Sequence, residues 1–300
     1  MDAAVELLHR ISRSSVTVAA EIPAEHASAG VLGTSRFGSG TVVDTSGLVL
    51  TVNYVVLGAA KINVVDIEGR KHDARLLAQD FATGVALVQT EATDLPALGP
   101  GDSASLEPGD DVCIVASAGD NERRTASGTI TALDAFDAYW EYRLERAIWV
   151  TCSNPGLGGG PVCNRHGELA GVVSLNLGNV GRATLAIPAE NYYAHADELV
   201  RYGRRVSRPA RAWVGMFCYE FAEKTVVAGV IPHSPGALAG LTPGDVIVRV
   251  DGREADSRAQ LYETIWSHDP GQTVELDVYR EGRLLSVGVE STDVDDFFAS

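Results

Sequence analysis

Over most of the first two hundred residues, apolar and polar positions alternate in short runs broken by turn residues. In "FGSGTVVDTSGLVLTVNYVV" this alternation predicts two strands around the turn Asp44-Thr45-Ser46-Gly47, since side chains two apart share one face of a strand. "INVVDIEGRKHDARLLAQD" reads as a second pair, turned at Glu68-Gly69. "VALVQT", "DDVCIVASA", "RTASGTITAL", "AIWVTC", "PVCNRHGELAGVVSL" and "ATLAIP" continue the series. Short strands at regular spacing predict an all-β barrel or sandwich. Helical spacing appears in residues 3–13 and in "AENYYAHADELVRYG", the latter read as one helix.

The pattern changes near residue 204. "RRVSRPA", 204–210, is basic and Pro-containing and reads as a linker. Residues 211–291 carry strand, short helix, turn and strand in "TVVAGVIPHSPGALAGLTPGDVIVRVDGREA". Ser234-Pro235 marks the start of that short helix by capping logic. "SRAQLYETIWSH" is helical, with Leu261, Ile265 and Trp266 on one face, and "TVELDVYREGRLLSVGVE" closes as a hairpin. The expected organisation is a first domain over 1–203, the linker, a second domain over 211–291, and an acidic tail over 292–300 that is loose or serves as a docking peptide.

Charge and cysteine count narrow this only slightly. The 300 residues carry a net charge of −16, which argues against sequence-independent binding to nucleic acid or anionic lipid. No run of 18 apolar residues exists, so no spanning helix is expected, and the N-terminal sequence has no secretory pattern. The expectation is a cytoplasmic protein, or a periplasmic one if a targeting segment is missing from the chain. Cys113, Cys152, Cys163 and Cys218 lack zinc spacing and read as reduced thiols; a redox link between Cys152 and Cys163 stays open. Neither metal nor cofactor is expected.

Six landmarks occur in order: "GSGTVVDTSGLVLTVNYVV", "DFATGVALV", "NPGLGGGPVCNRHGELAGV", "LAIP", "WVGM" and "SPGALAGLTPGDVIVRVDG". Together the chain resembles the HtrA (high-temperature-requirement) family. The resemblance implies a mostly β protein, a trypsin-like double β-barrel followed by a PDZ-like α+β domain, and a role in protein quality control. It also implies where the Ser-His-Asp chemistry belongs: the base at Tyr54, the orienting carboxylate at Gly84 and the nucleophile at Gly158. None of those three residues carries the needed group. A phenol with a pKa of about 10 is a poor base at neutral pH, and glycine has no side chain. Gly156, Leu157 and Gly158 are left as a remnant of the oxyanion loop. Cys152 and Ser153 are candidate replacement nucleophiles and His72 and His166 candidate bases, each with a plainer reading as a surface or core residue.

In the second half the resemblance implies a peptide site. The loop Trp213-Val214-Gly215-Met216 would receive a peptide's terminal carboxylate on backbone N–H groups, and the peptide would add as a strand beside Met216 to Tyr219, Cys218 included. Met216, Leu261 and Ile265 would line the pocket for its last side chain, with Arg211 attracting the carboxylate through water. The aromatic group Tyr139, Trp140, Tyr142 and Trp149 reads as core packing in preference to a subunit contact. The expected function is a catalytically inactive protease homologue that binds peptides or protein C-termini as adaptor, scaffold or regulator. Two alternatives stand: an active endopeptidase using non-standard residues, and a structural subunit of a mixed oligomer with active homologues. A homotrimer is a further implied state.

Overall fold

The computed structural model describes residues 3–177 and 182–299, which divide into two compact units. The first comprises residues 1–23, 32–136 and 144–206; the second comprises 24–31, 137–143 and 207–300.

Among the described residues, the first unit holds two closed six-stranded antiparallel barrels. Strands β1 (Ser15–Glu21), β2 (Ser35–Asp44), β3 (Leu48–Val52), β4 (Lys61–Val65), β5 (Lys71–Asp80) and β6 (Val85–Thr90) close in the order β1-β2-β3-β6-β5-β4. Strands β7 (Asp111–Ser117), β8 (Arg123–Asp137), β9 (Arg143–Val150), β10 (Pro161–Cys163), β11 (Leu169–Asn176) and β12 (Thr184–Pro188) close in the order β10-β11-β12-β9-β8-β7. Closure removes the unpaired edges that an open sheet of this size would present. Each barrel is filled from its own strands: Val16, Val18, Val49 and Val88 share one face in the first, and Ile114, Ile130, Ile148 and Val173 cluster in the second, all fully or nearly fully buried. Each such side chain contributes about 1.5–3 kcal/mol through burial.

The predicted turn at Asp44 forms, with the Asp44 carboxylate accepting from the Ser46 amide at 2.7 Å. The helix over residues 3–13 is present as Ala3–Ser14. The single helix read from "AENYYAHADELVRYG" is instead two, Glu190–Tyr193 and Ala196–Tyr202, because His195 leaves the helical region at φ −127°.

The second unit is built on a sheet of β13 (Met216–Phe221), β14 (Lys224–Val230), β15 (Val246–Val250), β17 (Thr273–Arg280) and β18 (Arg283–Glu290) in that order, with β16 (Arg253–Glu254) paired to β15. Strand β13 therefore lies at one edge. The helix Arg258–Ile265, capped by the Ser257 hydroxyl, presses Leu261, Tyr262 and Ile265 onto a core with Val214, Met216, Ile247 and Val278. The short helix Pro235–Leu238 is capped by Ser234 with Pro at its first turn, as its sequence predicts.

The tail is not loose. Val294–Ala299 is helical, and Arg208 reaches Asp293 at 3.0 Å and Asp295 at 2.6 Å with all three side chains mostly buried. Phe297 and Phe298 pack on Trp213, with ring centroids 4.8 and 5.8 Å away. Pairing by Arg208 and aromatic burial anchor a segment that reads as merely acidic in the sequence.

Candidate functional sites

The cleft between the two barrels of the first unit brings Tyr54, Gly84 and Gly158 together. Tyr54 lies on a four-residue helix, Asn53–Val56, that follows directly from β3. The Asn53 amide donates to the Gly84 carbonyl at 2.8 Å, which ties that helix to the β5–β6 turn. The turn is ordered by Asp80, whose carboxylate accepts from the Ala82 amide and the Thr83 hydroxyl. Gly84 itself has φ +82° and presents no side chain toward Tyr54.

The Tyr54 hydroxyl crosses the cleft and donates to the Ser174 carbonyl on β11 at 2.9 Å. A Cβ built on Gly158 would overlap that same phenol oxygen. The phenol thus occupies the space that any side chain at 158 needs. The glycine loop is also pinned from behind. The Gly158 carbonyl accepts from the Ser39 amide at 2.6 Å, and the Leu157 carbonyl from the Ser39 hydroxyl at 2.8 Å. The Leu157 amide is spent on Ser117 O and the Gly159 amide on Val173 O. Gly159, at φ +95°, lies against the Ser39 carbonyl so closely that no other residue fits.

The candidate replacements do not converge here. Cys152 packs against the core of the second barrel, and burial pushes its thiol pKa up, away from the thiolate a nucleophile requires. His72 bonds Asp66 at 3.0 Å in the β4–β5 hairpin. The His166 ring meets Arg165 in the β10–β11 turn, and its carbonyl accepts from Arg10. The thiol contact in this barrel is between Cys113 and Cys163, which face each other across β7 and β10, rather than between Cys152 and Cys163.

The second candidate site is in the second unit. Val214, Gly215 and Met216 point three successive amides at one spot, where the backbone turns through Gly215 at φ +83°. Glu141 fills that spot. One carboxylate oxygen accepts from Gly215 at 2.7 Å and Met216 at 2.8 Å, and the other from Val214 at 3.1 Å. Trp213 stands apart from this nest: its amide donates to the Thr292 carbonyl at 2.7 Å. Met216, Cys218, Leu261 and Ile265 are all buried in the adjoining core. Arg211 stacks on Trp266 at 3.7 Å, and its charge acts on Glu141.

The aromatic group read as core divides. Trp149 packs edge-on against Phe136 in the barrel wall. Tyr139 and Trp140 instead belong to the second unit: Trp140 packs on Phe217 at 4.3 Å, and exposed Tyr139 lies under Arg258 at 4.6 Å. The sequence holds no local signal for Glu141. It is one glutamate among many, and only the fold brings it to the loop 75 residues away.

A trypsin-like peptidase domain model matches residues 38–172, over the barrels, and a PDZ domain model matches residues 203–290, over the second sheet. The chain is 31% identical over 280 residues to a probable periplasmic serine endoprotease DegP-like of Halomonas elongata, covering 86% of this chain and 57% of that protein. It is 30% identical over 269 residues to the periplasmic serine endoprotease DegP of Salmonella typhimurium, covering 84% and 56%. The chain thus spans a little over half the length of these curated relatives. Among solved structures it is similar to the serine endoprotease from Yersinia pestis, at 25% identity and a TM-score of 0.58 over 98% of this chain and 99% of that one. The HtrA-type protease AlgW with tripeptide, at 24% identity and TM-score 0.58 over 97% of each chain, shares the fold. These names correct the cytoplasmic expectation: the curated relatives are periplasmic enzymes, and they point away from the cytoplasm. No described helix is long and apolar enough to cross a membrane.

Proposed function

We propose, from the premise that the chain belongs to the HtrA family of trypsin-like peptidases with PDZ domains, that this member has lost proteolysis and works by binding peptides or protein C-termini. One observation carries the first half: the Tyr54 phenol is hydrogen-bonded over Gly158, at the position the resemblance gives to the nucleophile. Acyl transfer needs a hydroxyl or thiol, a base within hydrogen-bond reach and a free approach to the carbonyl. Gly84 and Gly158 supply none of these, and the one hydroxyl, on Tyr54, is donated to the Ser174 carbonyl. Enzymes stripped of the triad retain about 10³–10⁴-fold over water through the oxyanion hole and binding. The Leu157 and Gly159 amides on either side of Gly158 are committed within the barrel.

The binding half is supported by the amides of Val214, Gly215 and Met216 around one anion, beside buried Leu261 and Ile265 at the terminal strand of the sheet. The ligand class is a free C-terminus, and the molecule acts as adaptor or regulator, with an active homologue as one partner and a homo-oligomer as its assembled state. Along the chain the division is 1–203, 204–210 and 211–291, with residues 24–31 and 137–143 of the first span grouped with the second domain and the tail packed on it. The relatives' names favour the periplasm as its compartment.

The test is turnover by the intact chain. Fluorogenic casein should give no rate above an enzyme-free blank, and an activated phosphonate should leave no adduct in the intact mass. Turnover that disappears in Cys152→Ala would establish the rival reading, an endopeptidase with substitute residues.

A further inference from the structure

The amides of 214–216 hold a carboxylate that belongs to the chain itself. Its carrier, residues 137–143, joins β8 to β9 and belongs to the second unit. The segment runs beside the first half of β13, the terminal strand of the sheet, in the opposite direction. The Cys218 amide donates to the Tyr139 carbonyl at 3.2 Å, while Glu141 meets Met216 two residues earlier on the strand. One backbone hydrogen bond and the Glu141 carboxylate thus tie this segment, a turn closed by the Ala138 amide donating to the Tyr142 carbonyl at 2.9 Å, to the strand beside which a peptide would add. The side chains follow suit: Trp140 packs on Phe217, and Tyr139 lies against Arg258 at the start of the adjacent helix. The Tyr262 hydroxyl, fully buried, donates to the Ala138 carbonyl at 2.7 Å and accepts from the Glu141 amide at 3.3 Å.

A true C-terminal ligand ends at its carboxylate. An internal segment must continue, and the backbone records that difference. Glu141 has φ +57°, a left-handed conformation uncommon outside glycine, which turns the chain aside while the side chain delivers the carboxylate. We infer that residues 138–141 are a built-in pseudo-ligand, with Glu141 standing in for a peptide's terminal carboxylate, so that an external C-terminus binds only by displacing this segment. The inference rests on the peptide-binding reading above and adds the site's regulation to it. If the segment is docked in 90–99% of molecules, external affinity is reduced about 10- to 100-fold, and loosening the segment restores it.

The experiment uses the full chain, its Glu141→Ala variant and the shape-conserving Glu141→Gln variant, each checked for fold by circular dichroism. The probe is a fluorescein-labelled peptide ending in Tyr-Trp-Val with a free carboxylate, and its C-terminally amidated twin is the control. The expected result is at least tenfold tighter binding of the free acid to Glu141→Ala than to the natural chain. Glu141→Gln should fall between them, and the amide should gain little. Equal affinity in all three chains overturns the inference. Amide hydrogen exchange at Val214, Gly215, Met216 and Cys218 separates the two readings. Faster exchange in Glu141→Ala without peptide bound to any chain keeps the internal ligand and overturns the external one. Unchanged exchange overturns the internal ligand whatever peptides bind.

Discussion

Two side chains decide most of the chemistry, and each takes a place that another group would need. Tyr54 fills the space over Gly158, so Gly158→Ser should cost about 1–3 kcal/mol through overpacking, read as a lower urea midpoint. Adding Tyr54→Ala should recover most of that loss, and a non-additive double-mutant cycle is the signature of direct contact. Glu141 is the second. Burial pushes its carboxyl up to about 7, against the pull of the Met216, Val214 and Gly215 amides and the Arg211 charge. Its docked pKa exceeds that of a solvated glutamate, so docking takes up a proton. Docking is therefore strongest below about pH 4.5 and weakens as pH rises through 7. The neighbours do not reverse the sign: burial keeps the Cys218 thiol and Tyr262 phenol protonated across this window, and the charges of Arg211 and Arg258 act on Glu141 and Tyr262 against burial without overcoming it. Asp137 in the same segment is also raised by burial. Peptide affinity of the natural chain should thus climb between pH 5 and 7.5, with most of the climb absent in Glu141→Gln.

At the level of elements, buried carboxylates fasten the turns and ends. Asp66 accepts from the Arg70 amide at 2.9 Å and the Arg70 guanidinium at 2.6 Å, and pairs with His72 at 3.0 Å, closing the β4–β5 hairpin. Burial pushes its pKa up, yet the His72 and Arg70 hydrogen bonds outweigh that and hold it below the ordinary carboxylate value. A depressed carboxylate stabilises above its unfolded pKa and loses that contribution as pH falls through the folded one. Asp66→Ala should therefore lower stability by about 1–2 kcal/mol near neutrality and by less in acid, measured by urea titration at pH 7 and pH 3. Arg208→Ala should free the helix Val294–Ala299, at a cost on the order of 3 kcal/mol because two mostly buried carboxylates lose their partner. Rapid proteolytic trimming of the C-terminus would report it. The hairpins were legible because alternation and turn residues are local signals. The Arg208 anchor was less so, since Arg208 and Asp293 are 85 residues apart in the chain and meet only through the fold.

Across the whole molecule, fold class and candidate loops followed from ordered landmarks, because each landmark is a short strand-turn-strand run whose physics is contained within it. What fills the loops did not follow. Neither the phenol over Gly158 nor the glutamate within the 214–216 nest leaves a trace in spacing. Tyr54 and Ser174 are 120 residues apart, and Glu141 and Gly215 are 74 apart. The compartment is a separate matter: the cytoplasmic expectation is overturned by the names of periplasmic relatives rather than by any feature of the fold.

The crossing phenol also bears on ancestry. Serine at 158 collides with the Tyr54 hydroxyl, so on the proposed reading a return to hydrolysis is easier with the aromatic ring departing first. Neither step alone yields a catalyst, and a library of single substitutions made from this chain should contain no hydrolase at all.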